Sequence, residues 1–227
     1  MNLSGLRRKG SFLPYVVPFA VFLFFLAIQD RIPLGREIEF PLRLVILTAV
    51  LWIFSRDVID LRSSHLLGST ILGIAVFVIW IGPDYLFPGY RDNILFQNPL
   101  VGRLQTSIPE QALANPVVVW SRIIRAVALV PIIEELFWRA WLMRWLVSPR
   151  FELVELGTYR HQAFWITAIL FASEHGPYWD VGLVAGVLFN WWMVRTKSLG
   201  DCILVHAVTN ACLCGYVMAT HKWEYWQ

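Results

Sequence analysis

Apolar residues fall in runs at about 12–28, 41–55, 66–87, 116–147, 162–175, 181–195 and 200–219, separated by polar stretches that hold most of the charge. Runs of this length read as helices that cross, or nearly cross, a bilayer, which takes about 20 residues at 1.5 Å each. The fourth run exceeds a span and carries Arg122 and Arg125 near its start and Pro131 in its middle. It is therefore expected to enter along the interface and kink, or to split in two. The resulting expectation is an all-α, polytopic transmembrane bundle of seven helices, with eight as the alternative, in one domain over 1–227. The stretch 88–115 is the longest polar connection and reads as an external loop with a short interfacial helix near Pro109 to Ala114.

Composition agrees. The chain is 57% hydrophobic and 15% charged with a mean hydropathy of +0.57, too little charge to coat a soluble domain of this size. Its 12 Trp fit a membrane, because indole rings collect at the lipid–water interface. A net charge of +3, dispersed along the chain, argues against nucleic acid as a partner. Membrane lipids and a protein or peptide substrate are the expected partners, and the oligomeric state is left open.

Arg7, Arg8 and Lys9 put the N-terminus in the cytoplasm, with Arg56, Arg62, Arg144, Arg150, Arg160, Arg195 and Lys197 on the same side. Mixed or acidic charge at Asp30 to Glu39, Asp84 to Arg103 and Asp180 marks the outer loops. A count of seven keeps this alternation throughout. No small-residue cleavage pattern follows the first apolar run, so it reads as a retained helix rather than a signal peptide. Cys202, Cys212 and Cys214 are odd in number and fit neither a disulfide framework nor a zinc ribbon.

Against this apolar background, three groups of polar residues stand out: Glu134, Glu135 and Arg139; Glu174 and His175; His206 and Asn210. A charged side chain at a helix centre costs roughly 2.5–3.5 kcal/mol on insertion scales, so such residues face a bundle interior and mark a site. Glu135 and Arg139 stand at i, i+4 and are expected to pair within the helix. Glu134 lies about 100° around the helix and lacks that partner. A lone carboxylate in a low dielectric takes up a proton readily, which suits a general base.

His206 and Asn210 share a face at i, i+4 and offer an imidazole and an amide able to donate to an oxyanion. His175, at the helix end marked by Gly176-Pro177, could hold a water jointly with Glu134. Counted from the cytoplasmic helix ends at 1.5 Å per residue, Glu134 and His175 sit about 20 Å deep and His206 with Asn210 about 10–15 Å. The four can therefore meet in the cytoplasmic half of the membrane or near its middle.

Glu-Glu-x-x-x-Arg, Phe-x-x-x-His and His-x-x-x-Asn, in that order on separate helices over about 115–220, resemble the type II CAAX prenyl endopeptidase family, also called the CAAX protease and bacteriocin-processing family. The chain is also similar to the bacterial branch found alongside exosortase protein-sorting systems. The resemblance implies an intramembrane endopeptidase of the bacterial cytoplasmic membrane that cleaves peptide bonds close to a C-terminus or leader junction. It implies Glu134 as the base that activates water, His175 as its partner, His206 and Asn210 as the oxyanion hole, and Glu135 with Arg139 in support. No cofactor is implied. Ala140 follows the first motif where many relatives have Gly, and Glu174 is an extra acid without an assigned role.

Two other classes use the same residues. Glu134, His175 and His206 could be three zinc ligands with water as the fourth, although no His-Glu-x-x-His is present. A scaffold, immunity protein or transporter could keep the polar cluster for binding or for a proton path. His65, His161 and His221 read as solvated loop residues, Gly182 and Gly186 as a helix-packing face, and the Trp residues as interfacial or packing side chains.

Overall fold

The computed structural model describes residues 11–28, 31–106 and 108–226. Arg7, Arg8, Lys9 and Asp30, which carry part of the orientation argument, lie outside the described residues. The described chain forms α1 (Leu13–Ile28), α2 (Arg36–Ser55), α3 (Leu66–Leu86), the short α4 (Glu110–Leu113), α5 (Pro116–Trp145), α6 (His161–Ser173), α7 (Trp179–Thr196) and α8 (Leu199–Thr220). Its extended structure is one antiparallel bridge between Asn98 and Gly102. Each apolar run thus becomes one long helix, and α4 falls where a short interfacial helix is expected.

Helices α2, α3, α5 and α8 are long and apolar enough to cross a membrane, and the protein is an integral membrane protein. Their outward faces carry large apolar side chains such as Val45, Trp52, Leu67 and Val78, which are at home in hydrocarbon and costly in water. Helix α2 starts at Arg36, several residues before its apolar run. There the buried Glu39 pairs with Arg36 one turn before it and with Arg43 one turn after it. This pairing lets charged residues enter the bundle as a neutralised set.

Helix α5 runs unbroken for 30 residues, so the fourth run does not split. Pro131 has no N–H to donate, and the chain meets this with a π-helical stretch at Arg125–Leu129, where the Val130 N–H reaches back five residues to the Arg125 carbonyl. Carried one residue on, that register would pair Pro131 with the Ala126 carbonyl. The side-chain N–H of Asn210 bonds that carbonyl instead, at 2.8 Å. A second π-helical stretch spans Leu136–Leu142.

Helix α8 packs on α3, α5 and α7, while α6 and α7 form an antiparallel pair and α1 lies against α2 and α5. Two polar anchors fix the ends of this arrangement. At the start of α8, the fully buried Asp201 accepts hydrogen bonds from the Ser63 hydroxyl (2.5 Å), the His65 backbone N–H (3.0 Å), the His65 ring (3.0 Å) and the Ser69 hydroxyl (3.3 Å). His65, half exposed, is therefore an anchor rather than a simply solvated loop residue.

At the opposite end of α3, Arg91 in the long loop donates to Asp84 (3.1 Å), to Asp180 (2.7 Å) and to the Pro177 carbonyl (2.7 Å), and lies 4.4 Å from the Tyr178 ring. Burial works against the Arg91 charge, but Asp180 and Asp84 outweigh it and hold the guanidinium above its ordinary value. The three cysteines are free thiols.

Candidate active site

The wide turns of α5 bring Glu134, Glu135 and Arg139 to the bundle interior, where all three are buried. Arg139 donates to Glu135 at 3.1 Å, as the i, i+4 spacing predicts. It also donates to the Asn190 side-chain oxygen at 3.0 Å and lies 4.4 Å from the Phe171 ring. Asn190 in turn donates to the Phe164 carbonyl at 2.8 Å, so α5, α6 and α7 are joined through one guanidinium. Asn190 was not among the residues expected at the site. Its signal in sequence is a lone amide within the apolar run Leu188-Phe189-Asn190-Trp191.

Glu135 has a second partner. The same carboxylate oxygen lies 2.9 Å from Nδ1 of His206 on α8. A carboxylate accepts, so Nδ1 carries the hydrogen and the other ring nitrogen, Nε2, remains for chemistry. The pair expected only to support the site therefore also orients one of its histidines.

Glu134 points elsewhere. Its Oε2 is buried and has no hydrogen-bond partner among the described residues. It lines a cavity of about 260 Å³ together with Glu174, His175, His206 and Asn210. The four residues expected to converge do so, drawn from α5, α8 and the turn that follows α6. The remaining wall is mostly apolar and includes Phe22 and Leu26 of α1 and Trp80 of α3.

His175 is set by local backbone geometry. Its Nδ1 lies 2.7 Å from the Phe171 carbonyl, which can only accept, so this ring too presents Nε2 unprotonated when neutral. Gly176 follows at φ +53°, a left-handed conformation that glycine adopts without a Cβ penalty, and ends the helix there. Gly182 on α7 lets the ring sit close, since a Cβ at that position would lie 3.2 Å from two His175 side-chain carbons. The glycine face read as helix packing is therefore, at Gly182, also a seat for His175.

Glu174 receives the Trp138 indole N–H at 3.0 Å, which gives this Trp a polar partner as well as packing. Ligand atoms of Glu134, Glu174 and His175 lie within 4.8 Å of one another. Two carboxylates and an imidazole at that spacing fit a divalent cation. The zinc set read from sequence named His206 where this group has Glu174; the geometry gives His206 to Glu135 instead. Asn210 has one N–H bonded to Ala126, as described, and its second N–H is the one left for a ligand in the cavity.

The fold and this centre together define a polytopic helical membrane protein with an acid, two imidazoles and an amide around one internal cavity. The segment 116–212, less than half of the chain, matches the family model described as type II CAAX prenyl endopeptidase Rce1-like. That segment contains Glu134, Glu135, Arg139, His175, His206 and Asn210, so the match covers the whole polar centre. No curated protein and no solved structure matches the chain.

Proposed function

We propose that this protein is an intramembrane endopeptidase that uses a glutamate-activated water. The observation that carries the reading is the convergence of Glu134, His175, His206 and Asn210 on one cavity within a family-matched membrane bundle, with Glu134 Oε2 buried and unpartnered there. Water held between Glu134 and Nε2 of His175 attacks the peptide carbonyl carbon while its proton passes to Glu134. The carbonyl oxygen becomes an oxyanion, which takes hydrogen bonds from a protonated Nε2 of His206 and the second N–H of Asn210. Glu135 balances the resulting imidazolium, and Arg139 holds Glu135. Collapse of the intermediate breaks the C–N bond, and Glu134 returns its proton to the leaving amine.

The reading includes a bacterial cytoplasmic membrane with the N-terminus inside, on the strength of the basic residues in the cytoplasmic loops. Its substrate is a protein or peptide cut near the membrane, as the name of the matched family indicates. The test is cleavage of a candidate peptide by purified protein in detergent, compared with Glu134→Gln. Retained cleavage in that variant removes the mechanism.

One observation favours a second reading, a metal-assisted hydrolase. Glu134, Glu174 and His175 would hold a divalent cation, which would supply a bound water of lowered pKa. Metal analysis of the purified protein separates the two: stoichiometric zinc whose chelation stops cleavage favours the metal, and full activity in excess chelator favours the carboxylate alone.

A further inference from the structure

The cavity holds a cation that the chemistry above does not use. Arg125 on α5 is 93% buried by its 7% residual exposure and lines the same cavity as Glu134. It makes no hydrogen bond or ion pair with a described residue; its ring contact is with Phe40, 5.4 Å from the guanidinium carbon. The charges acting on it are Arg122, Arg43 and Glu39, and Glu39 is already bonded to Arg36 and Arg43. A guanidinium carries five donors in a planar fork suited to a carboxylate, and burying it without an anion is expensive. The surrounding wall is apolar, so a fitting occupant has an apolar body and one anionic group.

We propose that Arg125 is a specificity-determining residue that binds a carboxylate of the peptide substrate. This deepens the protease reading and rests on it. Nine residues separate Arg125 from Glu134 on one helix, which is about 12–13 Å along the axis. An extended peptide covers about 3.3–3.6 Å per residue, so the recognised carboxylate sits three or four residues from the bond that is cut. The group is either the C-terminal carboxylate or an acidic side chain at that distance; both present the same two oxygens to the same fork.

The test uses full-length protein in nanodiscs and a set of apolar peptides that differ in one group. One pair ends in a free acid or an amide, and a second pair, amidated throughout, carries Glu or Gln at the third and fourth positions from the scissile bond. A charge-assisted hydrogen bond in a buried site corresponds to about a 10- to 100-fold difference in kcat/KM between the acid and neutral member of the pair that uses the subsite. In Arg125→Gln that ratio falls to within about twofold, and in Arg125→Lys part of it survives. The pair that shows the effect identifies the source of the carboxylate.

Binding of the same peptides to the Glu134→Gln protein gives an independent readout, since it needs no cleavage. A preference for the acid there, lost on adding Arg125→Gln, supports the subsite even if the wild type cleaves nothing, in which case only the protease reading falls. Equal cleavage and equal binding of acid and neutral peptides overturn the subsite and leave the protease reading standing. An Arg125 effect that tracks phosphatidylglycerol in the nanodisc rather than the peptide also overturns it.

Discussion

Two buried carboxylates in this molecule are used in opposite ways. Asp201, at the start of α8, accepts from two serine hydroxyls, a backbone N–H and an imidazole, so its donors surround it. Glu134, deeper in the bundle, keeps one oxygen without a partner and turns it to a cavity. A saturated acid fixes helix ends, and nothing remains on it for a substrate. An unsaturated one is a standing cost that the fold offsets elsewhere, here through the Glu135–Arg139–Asn190 set.

The comparison is broken first at Glu134. Glu134→Gln is expected to lower kcat by about a thousandfold or more while thermal unfolding in detergent changes little, because the amide keeps the size of the carboxylate and loses the base. Unchanged turnover would place Glu134 in the same structural class as Asp201.

Asn210→Ala is the next largest, about 100-fold in kcat if the amide serves the oxyanion. It also strips the Ala126 carbonyl of its donor, so a loss of stability of about 1–2 kcal/mol accompanies it. The two roles separate in the double variant with Pro131→Ala, which restores a backbone N–H. Stability should return while turnover stays low. Recovery of both would reduce Asn210 to a patch for the proline.

Asp201→Ala is expected to act the other way, costing about 2–3 kcal/mol and several degrees in melting temperature, with kcat of the folded protein close to wild type. Gly182→Ala should have the smallest effect, roughly three- to tenfold in kcat with a melting point near wild type. The added carbon asks the His175 ring to move by a few tenths of an ångström. A Gly182→Ala enzyme with wild-type kinetics would show that the ring position tolerates such a shift.

Much of this was legible in the residues. The apolar run at 66–87 becomes α3 at Leu66–Leu86, and that at 200–219 becomes α8 at Leu199–Thr220, because bilayer thickness leaves little freedom in where such helices end. Helix α2 starts earlier than its apolar run, since the Glu39 ion pairs hide charge from a hydropathy reading. The i, i+4 pairing of Glu135 with Arg139 was visible because both partners lie on one helix. The bond from His206 to Glu135, the reach of Trp138 to Glu174 and the part played by Asn190 join different helices, and no local spacing encodes them. The persistence of α5 through Pro131 was hidden for the same reason: its remedy comes from Asn210 on another helix.

The π-helical stretch at Arg125–Leu129 makes the length of α5 a matter of phase. Such a stretch amounts to one surplus residue in an otherwise regular helix. Trimming one position from it would let the backbone relax into even turns and swing everything beyond it by about 100° around the axis. Glu134 would then face a neighbouring helix or the acyl chains rather than the hollow it now borders. A single-codon deletion there should leave a membrane-inserted but inert protein, so this segment works as a keyed index whose residue count, more than its side chains, sets the bearing of the acid.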